Sequence, residues 1–394
     1  MEMDDVTFYK NFNMVLELDI AGEFIYDGMT ILDQINYTRE DASIFSFFYH
    51  ISVGIERLQK IIIVLSEKLN RGTYEQFENR LKTHIHVDLH NRIKKTHKID
   101  FNSKQNNFLQ IITKFYSKYR YNHYHLGADL QDARKLFINF IQKNVQENEI
   151  GYNLNNDIIV SNYIKEMLGR TIGSVVDRYY KLIVEESRNN CLYSYEIRQD
   201  SKAAKVFYNN YKKKSLFEQK INEQISLKEF IVYLMNTKDK DPLIRELRSL
   251  EPLSLDPAFI NEFIGLISKG IIPQDLVDQV EQIYIDGHLF KERGLINVVG
   301  DNNIFFEYAT LQECIELNNK LLNKKIDDKV FIKQFDELSD YLIYYADIYE
   351  DVELEKLVNE CKLTNELFEN GDIDKTIFLD DLIKLNNYLK VSFG

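Results

Sequence analysis

Tryptophan is absent from this chain of 394 residues, and only four prolines and three cysteines occur in it. The prolines, Pro242, Pro252, Pro257 and Pro273, share one window, so the first 241 residues carry no proline break and favour long helices. The cysteines, Cys191, Cys314 and Cys361, lie far apart and form no Cys-x-x-Cys pair. An odd, scattered set reads as buried reduced thiols, not as a disulfide frame or a zinc site, and points to a reducing, cytoplasmic compartment. Long apolar runs are also missing. The densest, residues 61–65, is far too short to span a bilayer, and the opening MEMDDVTFYK lacks the basic-then-apolar layout of a secretion signal. No membrane partner is expected.

What is present is a globular composition, 44% apolar and 28% charged, with 25 Tyr and 25 Phe to build the cores. The net charge of −13 argues against a polyanionic partner until its distribution is read. Residues 51–140 hold 16 Lys and Arg against 8 Asp and Glu, whereas residues 301–394 hold 10 against 21. A basic segment inside an acidic chain suggests a polyanion site on one part only, although solvated helix faces explain the charges equally well.

Apolar periodicity predicts an all-α protein. Leu18, Ala21, Ile25, Met29 and Leu32 form one helical stripe. Ile44, Phe47, Ile51, Ile55, Leu58, Ile62 and Leu65 form a longer one, with Asp41 as its expected N-cap. Short helices are expected over residues 73–84 and 87–96, then longer ones from Phe108 toward Gly127, over 130–141 and over 155–188. The predicted organisation is an up-and-down bundle over residues 1–190, a basic connecting segment over 191–225, and an acidic all-helical region over 226–394. The Asp241-Pro242 and Asp256-Pro257 pairs read as turn or first-turn helix signals, and residues 303–308 offer the one weak strand-like alternation.

Seven of the eight histidines lie between positions 50 and 125. His84-Ile-His86-Val-Asp88-Leu-His90 superficially resembles a metallohydrolase motif. Its spacing is one residue off, however, and beyond position 125 only His288 remains to complete a ligand set, so neither a metal nor any other cofactor is expected. No Gly-x-Ser-x-Gly elbow supports a serine nucleophile. A third chemistry needs only arginine and histidine. Imidazole, with an ordinary pKa near 6.5, can move the protons of RNA transesterification, and a guanidinium can stabilise the crowded phosphorane. Arg120 and His125, with Asn122 between them, have such spacing. So do Arg80…His86 and Arg92…His97, so spacing alone decides nothing. Periodicity further places His123 on the packed stripe with Tyr119, His125 on the polar side, and Glu56 with Lys60 as an ion pair within one helix. His86 and His97 read as surface groups beside Arg80 and Arg92.

Three stretches together are similar to the HEPN superfamily of all-α bundles, which includes RNA-cleaving toxins and abortive-infection ribonucleases. FSFFYHISVGIERLQKIIIVL (residues 45–65) looks like its long helix with a Glu-x-x-x-Lys core, here Glu56 and Lys60. HVDLHNRIKK (86–95) is similar to the short helix that often follows, and FLQIITKFYSKYRYNHYH (108–125) resembles the helix carrying Arg-x(4–6)-His. The resemblance covers residues 11–190. It implies a metal-independent endoribonuclease acting on single-stranded RNA, a toxin or antiviral effector working as a homodimer. Arg120 and His125 would be its catalytic pair and Asn122 would orient one of them. Tyr121 and Tyr124 are candidates for stacking bases, and Arg92, Lys94 and Lys95 for phosphate contacts. Tyr121 stands where the family usually has a small polar residue after the arginine, which supports the alternative of a non-catalytic RNA-binding or adaptor protein. A third alternative is a helical scaffold that contacts a protein partner or antitoxin through its acidic, Tyr-rich C-terminal region.

Overall fold

The computed structural model describes residues 4–69, 72–127, 129, 131–208, 215–238, 241–284, 296, 299 and 306–393. The chain is all-α. Among the described residues its only β pairings are isolated bridges, Tyr37 with Ile159 and Tyr152 with Ile158, and no helix is long and apolar enough to cross a membrane. Two compact units form, Met1–Lys228 with Ser268–Ile271, and Glu229–Ile267 with Ile272–Gly394.

In the first unit, α1 (Met14–Gln34) runs against α2 (Asp41–Ser66), the central helix. Ile44, Phe47, Ile51, Ile55, Leu58 and Ile62 of α2 are fully buried, as their three-and-four spacing requires. Each such side chain contributes roughly 1.5–3 kcal/mol, so packing rather than intrinsic propensity holds this helix. Glycine permits the close crossing of the pair. A Cβ on Gly54 would lie 2.6 Å from Ile25 Cγ1 and 3.0 Å from the Ala21 carbonyl oxygen. Asp41 does not cap α2; Glu40 holds the cap position, and the Asp41 carboxylate pairs with Arg134.

Around α2 stand α3 (Tyr74–Leu81), α4 (His86–Ile93), α5 (Ser103–Lys114), α6 (Asp132–Asn144) and α7 (Asn162–Asn189). Of these, α4, α5, α6 and α7 pack directly on it. The predicted helix over 155–188 starts later. Ser161 caps it through Ile164 N, and residues 158–160 run extended, with Ile158 and Val160 bonded to the backbone at Asn36 and Thr38. Ser103–Lys114 does not run on as α-helix to Gly127 either. It passes into a π-helical turn, Phe115–Tyr119, and a 3₁₀ turn, Asn122–Tyr124.

The segment 191–225 is more than a connection. Leu192, Ala203, Val206, Phe207, Leu216 and Phe217 all enter the first core, and α8 (Lys202–Phe207) lies on α1. Two of its lysines are held by carboxylates of the same unit: Lys202 by Glu23 and Asp27, Lys205 by Glu223. The main stretch of the unit therefore runs on into α9 (Leu216–Asn236), to Lys228, and does not stop near residue 190.

The second unit contains α10 (Pro242–Ser249), α11 (Ile260–Ile267), α12 (Gln274–Tyr284), α13 (Phe306–Leu322), α14 (Asp328–Ile348), α15 (Val352–Glu369) and α16 (Lys375–Phe393). Asp241 and Asp256 each cap a helical turn that opens on the following proline, as the Asp-Pro pairs suggest. Helices α13 to α16 pack in sequence and the first also meets the last, around Phe331, Phe335, Leu342, Val358, Phe378 and Leu385. Cys314 and Cys361 are buried here, whereas Cys191 is exposed at a positive φ of 55° after α7. Of the strand-like stretch 303–308, residues 306–308 are helical and the rest lies outside the described residues.

Candidate functional site

One turn of α2 presents Glu56, Gln59 and Lys60, and each meets a different environment. Gln59 is fully buried. Its amide donates to the His86 carbonyl at 3.0 Å and to the Tyr179 hydroxyl at 2.9 Å, and its oxygen accepts from His86 Nδ1–H at 3.1 Å. The Tyr179 hydroxyl in turn lies 2.8 Å from His90 Nδ1, and Phe101 stacks on the His90 ring at 4.4 Å. Burial, reinforced by nearby Lys60, lowers the pKa of His86 to about 3. Burial and Lys94 lower that of His90 to about 4. Both rings are neutral core groups. His86 is therefore not the surface partner of Arg80 that its spacing suggests.

Glu56 faces the other way. Its carboxylate is nearly buried, takes Lys60 Nζ at 2.7 Å, and accepts His84 Nδ1–H at 3.0 and 3.1 Å. The His84 side chain is 52% exposed. These three residues line a cleft of about 430 Å³ that also includes Tyr9, Arg57 and Tyr116. Tyr116 is the hinge of the arrangement. The His84 ring lies 5.5 Å from its centre, and Arg120 stacks on it at 4.2 Å. Burial raises the Tyr116 pKa; Glu56 adds to that and Arg120 opposes it, so its hydroxyl is neutral at physiological pH. The histidines of the apparent metal motif thus diverge, His84 to the cleft and His86 and His90 to the core. No group of three or more His, Cys, Asp or Glu among the described residues could hold a metal ion.

The Arg120 turn owes its shape to the π-helical turn before it, where Arg120 N bonds to Phe115 O at 2.9 Å. The guanidinium sits between Tyr116 and Tyr121, 4.2 and 4.3 Å from the ring centres. Among the described residues no carboxylate pairs with it, and its buried Nε has no hydrogen-bond partner. Tyr121 and Tyr124 are 59% and 87% exposed, enough to offer a ring face to a ligand. His125 is exposed too, its backbone N–H bonded to the Asn122 carbonyl at 2.9 Å. The Asn122 side chain goes elsewhere, donating to Asp132 Oδ2 at 2.5 Å. His123 is exposed beside Phe45 rather than packed in the core, because the chain has left the α-helical register that would have buried it.

Of the basic candidates, Arg92 is held by Glu67 at 2.6 and 2.8 Å and lies over Phe77, whereas Lys94 and Lys95 are exposed. His97 is half-buried against Ser66, His50 bonds to the Ser46 carbonyl, and His288 lies outside the described residues. The group that sequence reasoning passed over is the His84–Glu56 pair. Both residues stand in quoted motifs, yet only the fold joins positions 28 apart. No protein-family model, curated protein or solved structure matches the chain.

Proposed function

We propose that this chain is a metal-independent endoribonuclease of HEPN kind, cutting single-stranded RNA at Arg120 and His125. The observation that carries this reading is the Arg120 guanidinium. It is clasped by two tyrosine rings, has no carboxylate to neutralise it among the described residues, and stands on the turn that exposes Tyr124 and His125. A positioned, unpaired cation suits the charge of a phosphorane, and exposed rings suit an unstacked base. In the reaction the 2′-oxygen attacks phosphorus, the bond to the 5′-oxygen breaks, and the products are a 2′,3′-cyclic phosphate and a 5′-hydroxyl. Arg120 holds the non-bridging oxygens and His125 protonates the leaving oxygen. A homodimer, a toxin or antiviral role and an antitoxin-like protein partner belong to this reading through the family resemblance alone.

The test is incubation of the full chain with labelled single-stranded RNA in EDTA. Cyclic-phosphate ends should form, and Arg120→Ala and His125→Ala should each lower the rate by roughly 10²-fold or more. Cleavage surviving both substitutions would sink the assignment. A second reading, RNA binding without cleavage, draws on Asn122, whose amide serves Asp132 and orients neither Arg120 nor His125. It expects binding by the wild type and no products.

A further inference from the structure

We infer that His84, oriented by Glu56, is a second acid–base group of the same site and takes the proton from the attacking 2′-hydroxyl. The inference rests on the ribonuclease reading and adds a residue that lies outside the Arg120…His125 stretch. Three observations support it. First, Glu56 accepts His84 Nδ1–H, which fixes the tautomer and leaves the Nε2 lone pair as the free face of the ring. A carboxylate so placed also stabilises the imidazolium formed when Nε2 takes a proton. Second, the carboxylate is itself held. It is 7% exposed and tied to Lys60, so the pair is a built feature and not a chance surface contact. Third, the pair opens onto a cleft lined by Tyr116, and that one ring lies 5.5 Å from the His84 ring and 4.2 Å from the Arg120 guanidinium, which links the pair to the arginine through a single side chain.

The proton balance closes. His84 Nε2 accepts the 2′-hydroxyl proton as the 2′-oxygen bonds to phosphorus. The P–O5′ bond breaks with its electron pair on the 5′-oxygen, which His125 protonates. Exchange with water returns both imidazoles to their starting forms. His84 is the base, His125 the acid, and Glu56 a positioning residue that touches no substrate. The other five histidines in the 50–125 stretch lack this combination of exposure and a carboxylate bonded to Nδ1: His86 and His90 are buried, His50 is half-buried on the Ser46 carbonyl, His97 has Glu186 3.9 Å from Nδ1 but a side chain only 9% exposed, and His123 stands beside Phe45.

The experiment compares wild type, His84→Ala, Glu56→Gln and His125→Ala in steady-state cleavage of single-stranded RNA with EDTA. Affinity is measured separately on an oligonucleotide carrying a 2′-deoxy residue at the cut site. His84→Ala should lose roughly 10²- to 10⁴-fold in kcat while keeping its affinity within about threefold, and added imidazole should restore part of the rate. Glu56→Gln should lower kcat by less, with KM retained and no rescue by imidazole. A circular-dichroism melt of each variant separates these losses from unfolding. If His84→Ala cleaves as fast as wild type while His125→Ala does not, the inference is overturned and the ribonuclease reading stands. If wild type cleaves nothing, both are overturned.

Discussion

Glu56 and Gln59 lie within one turn of the same helix, and the histidines they hold could hardly be treated more differently. Gln59 meets His86 in the core, with Tyr179 and His90 completing a buried chain of polar groups. Glu56 meets His84 at the edge of a cleft. An amide partner and complete desolvation keep the His86 imidazole neutral; a carboxylate partner and solvent access leave Nε2 of the His84 ring facing outward. The residue type is the same and the segment is the same. What separates structural from chemical histidine here is the partner and the solvent, and both are set by the fold.

That contrast can be broken from the buried side first. The native pKa values of His86 and His90, about 3 and about 4, lie below the ordinary imidazole value. The unfolded chain therefore takes up protons that the core refuses. Stability supplied by this difference is complete above about pH 6.5 and is lost as pH falls toward the native values, at about 1.4 kcal/mol per pH unit for each ring. Urea midpoints should drop steeply between pH 7 and pH 5, and less so in His86→Gln. A flat profile over that range would show that the two rings are not held neutral.

The next effect is smaller. Gln59→Leu removes the donors to Tyr179 and to the His86 carbonyl and leaves His86 Nδ1–H without its acceptor, at a cost of about 2–4 kcal/mol in urea unfolding. Adding His86→Leu to that variant should recover part of the loss, because an apolar pair has no polar group to strand. If the double variant is the less stable one, packing volume rather than hydrogen bonding governs the site. The smallest change in stability belongs to Glu56→Gln. Lys60 and His84 both keep some exposure, so losing the Lys60 ion pair and weakening the His84 hydrogen bond should cost no more than about 1 kcal/mol. The same substitution is expected to slow RNA cleavage, and that mismatch between small stability cost and large activity cost is the sharpest form of the comparison.

The stripe from Ile44 to Leu65 announces the central helix because its burial is periodic and local, and the Glu56–Lys60 ion pair follows from one turn of spacing. The all-α class is equally legible. What escaped depends on contacts distant in sequence or on a broken period. Glu56 and His84 meet only after α2 and α4 dock, since nothing in a 28-residue separation encodes a hydrogen bond. His123 looks packed when α-helical spacing is extended past Tyr119, and the structure leaves it in solvent. Residues 191–225 read as a polar connection because Ala203, Val206 and Phe207 alternate with lysines whose ion pairs lie on α1 and α9.

The π-helical turn at Phe115–Tyr119 has a wider bearing. A π-helical turn takes in about one residue more than an α-helical one, an offset of roughly 100° from the α-helical register for the residues directly after it. The turn acts as a phase shifter between two halves of a single element. Upstream, Phe108, Ile112 and Phe115 stay locked in the core; downstream, His123, which the α-helical stripe would bury, stands exposed beside Phe45. Chain length at this one point is thus a coordinate separate from residue identity: two chains could share every side chain named here and, differing by a single residue between 115 and 119, bury a histidine in one and leave it in solvent in the other.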